Sequence, residues 1–282
     1  MRLILLTLLT MVAFAANSLL TRMAVDGGHI DPSSFALIRV VAGAVVLAMI
    51  STVRGRSAPL FRMKQWIGAV SLAGYMIGFS LAYLTLDAGL GALILFGVVQ
   101  MTMFVHGARQ GSGPTQRQMT GAAIAFAGLL IALWPGPGGQ SDLQGALFMT
   151  VAGLAWAAYT IQGRTSSDPI ATTTGNFLVC CPLLVVFLIG PSLDASVTGI
   201  GLAILCGGLT SGVGYALWYS ILPKLDQNTA AIVQLSVPII AIAGGAVFLS
   251  ETIGWLTCVA AGLVVGGIAL SVTSQSAPTD HT

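Results

Sequence analysis

Charged residues cut this chain into apolar lengths, and each length suits a helix that crosses a lipid bilayer. Such a helix takes roughly 20 predominantly apolar residues. Stretches without a single Asp, Glu, Lys or Arg run over 3–21, 65–86, 88–108, 118–141, 143–163, 169–193, 195–223, 227–250 and 252–279. A tenth apolar segment, 32–53, is interrupted only by Arg39. β-Barrel strands would read instead as short alternating segments. The pattern predicts an all-α integral membrane protein of ten transmembrane helices. Only 7% of the 282 residues are charged, against about 25% in soluble globular domains, so lipid must be much of the solvent.

The first window has a second reading. Arg2 precedes an apolar run, and Ala13-Phe14-Ala15 resembles a small-residue cleavage site. The run continues to Val25, long enough to span, so it is kept as the first helix with cleavage as the alternative. The four cysteines, Cys180, Cys181, Cys206 and Cys258, lie inside apolar runs and read as small hydrophobes, not a disulfide framework. A net charge of +2 without clustered bases gives no nucleic-acid groove.

Orientation follows from the lysines and arginines. With a cytoplasmic N-terminus, the inner side receives Arg2, Arg54, Arg56, Arg62, Lys64, Arg109, Arg117, Arg164 and Lys224. Arg22 and Arg39 lie toward the other face, with Asp26, Asp31, Asp87, Asp142, Asp194 and Glu251. Both termini are expected in the cytoplasm. Trp66, Trp134 and Trp255 fall at predicted helix ends, where interfacial anchors belong.

The chain also repeats itself. Residues 66–84 laid on 202–220 superpose Gly78 on Gly214, Phe79 on Tyr215 and Tyr83 on Tyr219. Residues 10–22 laid on 152–164 superpose Phe14 on Trp156 and Arg22 on Arg164, and 117–133 matches 254–270. The order and near-constant offset predict two five-helix repeats, 1–138 and 139–274, followed by a short tail at 275–282. Five is odd, so the halves enter the membrane from opposite sides. Inverted repeats of this kind mark secondary transporters, with the substrate held near the midplane between the halves.

Enzyme motifs are missing from the sequence. It has no G-x-x-x-x-G-K-[ST], no H-E-x-x-H and no G-x-S-x-G, and its three histidines are scattered. No catalytic residue, metal site, cofactor or ATPase partner is therefore expected. The expected partners are a small-molecule substrate and the lipid bilayer.

Polar and aromatic residues inside the windows are the candidates for chemistry. Tyr75, Phe79 and Tyr83 share one face of the third helix at i, i+4, i+8 spacing. Tyr215 and Tyr219 do the same on the eighth, beside Trp218, while Trp156 and Tyr159 lie in the sixth. Tyrosine and tryptophan offer apolar area with a hydrogen-bonding tip, which suits amino acids, although plain packing between helices is an equal reading. Phe79 and Tyr83 are expected toward the outer mouth, Tyr215 and Tyr219 toward the inner. Asn17, Gln100 and Gln234 lie within helices one, four and nine, where an amide bonds either a substrate or a neighbouring helix. Pro238 should loosen helix nine near Gln234. Arg39 is expected to snorkel outward to Asp26 or Asp31, with carboxylate capture as the alternative. Glu251 reads as an end charge. Gly74-x-x-x-Gly78, Gly208-x-x-x-Gly212 and Gly262-x-x-x-Gly266 allow close helix contacts without implying an oligomer.

Two segments carry a resemblance. Ala13-Phe14-Ala15-Ala16-Asn17, then Arg22, Pro32 and Arg39, resembles the opening of ten-helix carriers of the drug/metabolite transporter superfamily. Val237-Pro238-Ile239-Ile240 through Phe248-Leu249-Ser250-Glu251 is similar to the closing signature of its EamA-type domain, most like the bacterial aromatic-amino-acid exporter branch. Phe14 stands where that family often has Trp, and the first half carries Gln100 and Pro114 in place of the Pro–Glu signature. The resemblance implies an inner-membrane carrier that exports amino acids and related metabolites by alternating access, around a cavity between helices 1, 3, 4 and 6, 8, 9. No acidic residue falls at a midplane position, so facilitated diffusion or exchange is expected in place of ion coupling. Efflux of hydrophobic cations, or an enzyme acting on a lipid-linked substrate, are the alternatives.

Overall fold

The computed structural model describes residues 1–60, 63–109, 115–132, 143–164, 166–187, 194–225 and 233–273. Trp134, Asp142, Arg62, Pro114 and the tail at 275–282 lie outside the described residues. Ten helices are described: α1 (Arg2–Val25), α2 (Pro32–Val53), α3 (Met63–Ala82), α4 (Ala88–Arg109), α5 (Gln116–Ala132), α6 (Leu143–Arg164), α7 (Pro169–Phe187), α8 (Val197–Ile221), α9 (Ser236–Phe248) and α10 (Trp255–Thr273). No strand occurs among the described residues, only a single bridge between Ile30 and Ala195. Seven helices, α1 to α4 and α6 to α8, are long and apolar enough to cross a membrane. α5 has 17 residues and α9 has 13.

The helices expose many of their large apolar residues, and much of what they turn inward is small or polar. α2 turns Ala36, Arg39, Gly43, Ala44 and Ser51 inward, while Val41, Val45 and Met49 face outward. A soluble helix does the reverse. Lipid takes the bulky side chains at no cost, and small ones let backbones approach. Gly78 lies against Ala152 and the Phe148 carbonyl on α6, and Gly212 against Val46 on α2, whereas Gly262 and Gly266 face open space. On α10 the close approach is made by Gly267, against the α5 backbone at Gly121 and Ala125. Trp66 and Trp255 are exposed in the first turns of α3 and α10.

α2 and α7 begin alike. Asp31 caps α2 by accepting from the Ser33 and Ser34 amides, each at 3.0 Å, with Pro32 as the first helical residue. Asp168 accepts from the Ala171 amide at 3.2 Å, with Pro169 opening α7. Helix contacts follow the same order. α3 packs on α6 and α8 on α1; α4 packs on α6 and α9 on α1; α2 packs on α8 and α7 on α3. α2 also meets α7, α4 meets α9 and α5 meets α10. Advancing each helix number by five, counted cyclically, maps these principal pairs onto one another.

α8 changes winding within its length. Between α-helical Val197–Leu205 and Gly214–Ile221, residues Cys206–Val213 form a π-helix. This wider winding is rare and recurs at functional sites. Here it is rich in glycine, and it lies against the inward face of α2: a Cβ on Gly207 would collide with the Arg39 carbonyl. Pro238 sits in the first turn of α9 and not in a helix interior, because the turn at Leu235 precedes it. There its missing N–H costs no helical bond.

Candidate functional site

The π-turn of α8, the inward face of α2 and the middle of α1 meet at one buried polar cluster. Arg39 is fully buried at its centre. Its Nε donates to Ser211 Oγ at 3.0 Å, and Nη2 donates to Asn17 Oδ1 at 3.1 Å and to the Tyr75 hydroxyl at 3.2 Å. Asn17 Oδ1 also lies 2.7 Å from Thr210 Oγ1, 3.1 Å from Ser211 Oγ and 3.3 Å from Cys206 Sγ, each positioned to donate to it. The wide turn of α8 lets Cys206, Thr210 and Ser211 converge on one amide oxygen.

This overturns the expectation that Arg39 snorkels outward. The side chain lies on the same inward stripe as Ala36, Gly43 and Leu47, so its reach is sideways into the bundle. Neither expected partner meets it: Asp26 pairs with Arg22, and Asp31 caps α2 through Oδ1. Among the described residues no carboxylate lies within 4.0 Å of Arg39, and Nη1 has no hydrogen-bond partner. A guanidinium has five N–H donors; Nε and Nη2 account for three, and the two on Nη1 are left over. The faces of Tyr75 and Phe79, with centroids 5.5 and 5.1 Å from the guanidinium carbon, are its other compensation.

An aromatic wall continues from this cluster. Tyr83 meets Phe79 at 4.8 Å between centroids, Phe79 meets Tyr75 at 5.2 Å, and Tyr75 meets Trp156 at 4.9 Å. Trp156 stacks on Tyr159 at 5.4 Å and tilts against Tyr215 at 5.2 Å. Phe14 and Phe177 contact Tyr215, and Trp218 contacts Phe14. The Tyr215 hydroxyl is buried without a hydrogen-bond partner. The structure thus joins Asn17, Tyr75, Phe79, Tyr83, Trp156, Tyr159, Tyr215 and Trp218 in one assembly. Tyr219 sits at its edge, its hydroxyl over Gly163 of α6. Gln100 on α4 and Gln234 before α9 are half-buried and do not belong to the Arg39–Asn17 set. Sequence reasoning left out Ser211, Thr210, Cys206, Phe14 and Phe177; the one available signal was the Gly-rich run around Thr210-Ser211.

Each end of the assembly is closed by charge. At the Tyr83 end, Arg22 lies 3.0 Å from Asp26, 3.6 Å from Asp87 and 3.8 Å from Glu251, and donates to the Tyr83 carbonyl at 3.1 Å. Glu251 is more than a loose end charge: its side chain is largely buried and accepts from the Ala88 amide at 2.8 Å. Burial pushes its carboxyl up from the usual range. At the Tyr219 end, Arg56 pairs with Asp168 at 2.6 Å, Ser51 meets Thr174 at 2.7 Å, and Gln162 donates to the Lys64 carbonyl.

Comparison with known proteins bears on this arrangement. The model of the EamA-like transporter family matches residues 143–273. An uncharacterised protein of Pseudomonas aeruginosa is 44% identical over 95% of this chain and 94% of its own. The chain belongs to the EamA-like transporter family. A probable amino-acid metabolite efflux pump of Salmonella typhimurium is 24% identical over 95% of this chain and 93% of its own. A solved crystal structure shares the fold of this EamA-like protein, with a TM-score of 0.69, 17% identity, and coverage of 94% of this chain and 97% of that one. With its apolar helices, the EamA-like chain is a multi-pass membrane transporter.

Proposed function

We propose that this EamA-like protein exports amino acids and related small metabolites, aromatic ones included, across the bacterial inner membrane by alternating access. The observation that carries the reading is a buried assembly in which a polar cluster at Arg39–Asn17 lies beside the middle of a wall of aromatic rings, bounded at both ends by ion pairs. Such an interior fits a solute with a charged head and an apolar side chain. The halves that rock are the inverted repeats 1–138 and 139–274, a division supported by the helix pairings that survive renumbering by five. The Arg22 end is the outer mouth and the Arg56 end the inner, with both termini cytoplasmic. The relative named as an amino-acid metabolite efflux pump supports the solute class. Every described carboxylate lies at a helix end or loop, so flux follows the substrate gradient or exchange, without ion coupling and without an ATPase partner. Hydrophobic-cation efflux is disfavoured, because the buried charge is itself positive.

Labelled amino acids, aromatic and aliphatic, tested for flux through liposomes holding the purified protein, decide the matter. Saturable flux, unchanged by an imposed proton gradient, is the expected result. Flux of no amino acid removes the solute class, and a several-fold rise on imposing the gradient removes the uncoupled mechanism. Tyr83→Ala and Tyr219→Ala are each expected to change flux, since they stand at the two ends of the aromatic wall.

A further inference from the structure

Arg39 presents an unbalanced charge. A cation taken out of water costs several kcal/mol unless it is paired and hydrogen-bonded. All the groups that touch it here are neutral: an amide oxygen, two hydroxyls and two aromatic faces. None of the described carboxylates pairs with it: Asp26, Asp87 and Glu251 lie around Arg22, Asp168 pairs with Arg56, and Asp31 Oδ1 caps α2. The same position in the matching helix carries no charge. Arg39 and Asn176 are each the eighth residue of a helix opened by Asp-Pro. The cation therefore belongs to one half only, and packing of the repeat does not require it.

We infer that Arg39 binds the carboxylate of the transported solute through its unpartnered Nη1 edge, so that the cargo supplies the counter-ion that none of the described residues provides. The inference rests on the transport reading above and deepens it. Nε and Nη2 are held by Ser211, Asn17 and Tyr75, which fixes the guanidinium plane and leaves the two N–H groups of Nη1 without a partner. A carboxylate suits that edge. The Tyr215 hydroxyl, buried and unpartnered, belongs to the same assembly and is a second donor for the bound acid. No described carboxylate joins the cluster to receive an ammonium group. The solute's acid group is thus obligatory and its amine optional. The substrate class is apolar and aromatic carboxylates, amino acids among them.

The test uses the full-length protein in detergent and in liposomes. Phenylalanine and leucine are each presented as the free amino acid, the N-acetyl acid and the carboxamide. Thermal unfolding is followed with each, since a ligand of the folded state raises its melting temperature. Both acid forms are expected to raise it, and the carboxamides to act only at concentrations about tenfold higher or more. In Arg39→Gln that preference disappears, while Arg39→Lys keeps a weakened one. Carboxamides that stabilise as well as the acids, or acids that stabilise nothing, overturn the inference; this ligand-side arm needs no variant to fold. Counterflow of the same labelled compounds separates the two readings. Selective stabilisation by acids with no counterflow leaves Arg39 as a carboxylate site and removes transport. Equal counterflow of acid and carboxamide keeps transport and removes the role of Arg39.

Discussion

A buried arginine held by an amide and hydroxyls is an unstable solution in the absence of an anion, and this has a measurable consequence. Replacing a buried ion pair by apolar groups of similar volume is often neutral or stabilising, by about 1–4 kcal/mol, and Arg39 has no ionic partner among the described residues whose loss would offset the gain. Arg39→Met is therefore expected to match or exceed the parent in ligand-free thermal stability while losing transport of acids. Asn17→Ala should do the opposite. It removes the acceptor shared by Arg39, Thr210, Ser211 and Cys206, and a stranded buried donor costs about 1–3 kcal/mol, more when it is charged. A lower melting temperature for Asn17→Ala than for Arg39→Met checks the pair. Asn17 was legible in the sequence as a polar residue deep in an apolar run. The direction of Arg39 was not, because snorkelling and burial differ only in which face of α2 looks inward. When both faces are apolar, no periodicity marks that face.

Helices were legible because charge delimits them, and their starts because Asp-Pro is a chemical signal for capping. The internal winding of α8 was not legible. A π-turn depends on what packs against it, and glycines at 207, 208, 212 and 214 merely permit it. The close approach of α8 to α2 gives the next expectation. Gly207→Ala places a methyl group against the Arg39 carbonyl, and overpacking of this kind costs about 1–3 kcal/mol; thermal unfolding in detergent measures it. Caps can be separated from ion pairs in the same way. Arg56 is more than half exposed, so its pairing with Asp168 is worth about 0–1 kcal/mol. Asp168 also caps α7, which adds about 1 kcal/mol. Asp168→Ala should therefore unfold at a lower temperature than Arg56→Ala.

Across the whole molecule, the two ends differ in how they respond to acid. At the Arg22 end three carboxylates surround one guanidinium. Burial raises the Glu251 carboxyl; the Ala88 amide and Arg22 oppose the shift and Asp87 adds to it. The folded protein thus binds this proton more tightly than the unfolded chain does. As pH falls, Glu251 is protonated ahead of ordinary carboxylates, and through this group acid favours the fold while removing the charge that faces Arg22. Glu251→Gln mimics the protonated state. A cysteine placed at Ser18, in a background lacking the four native thiols, should react with an impermeant reagent faster in Glu251→Gln than in the parent at neutral pH. The two rates should converge in mildly acid solution; rates that stay apart would show that Glu251 does not hold this end closed.

The missing side chain at Gly207 has a consequence for inheritance. A cation whose helix can seat only against a bare backbone ties two positions, far apart in the gene, into one selectable unit. Starting from a strain crippled by Gly207→Ala, revertants that regain export should carry second changes on the facing stretch of α2, around Ala36, Val40 and Gly43, where a smaller neighbour or a small shift in register restores the fit.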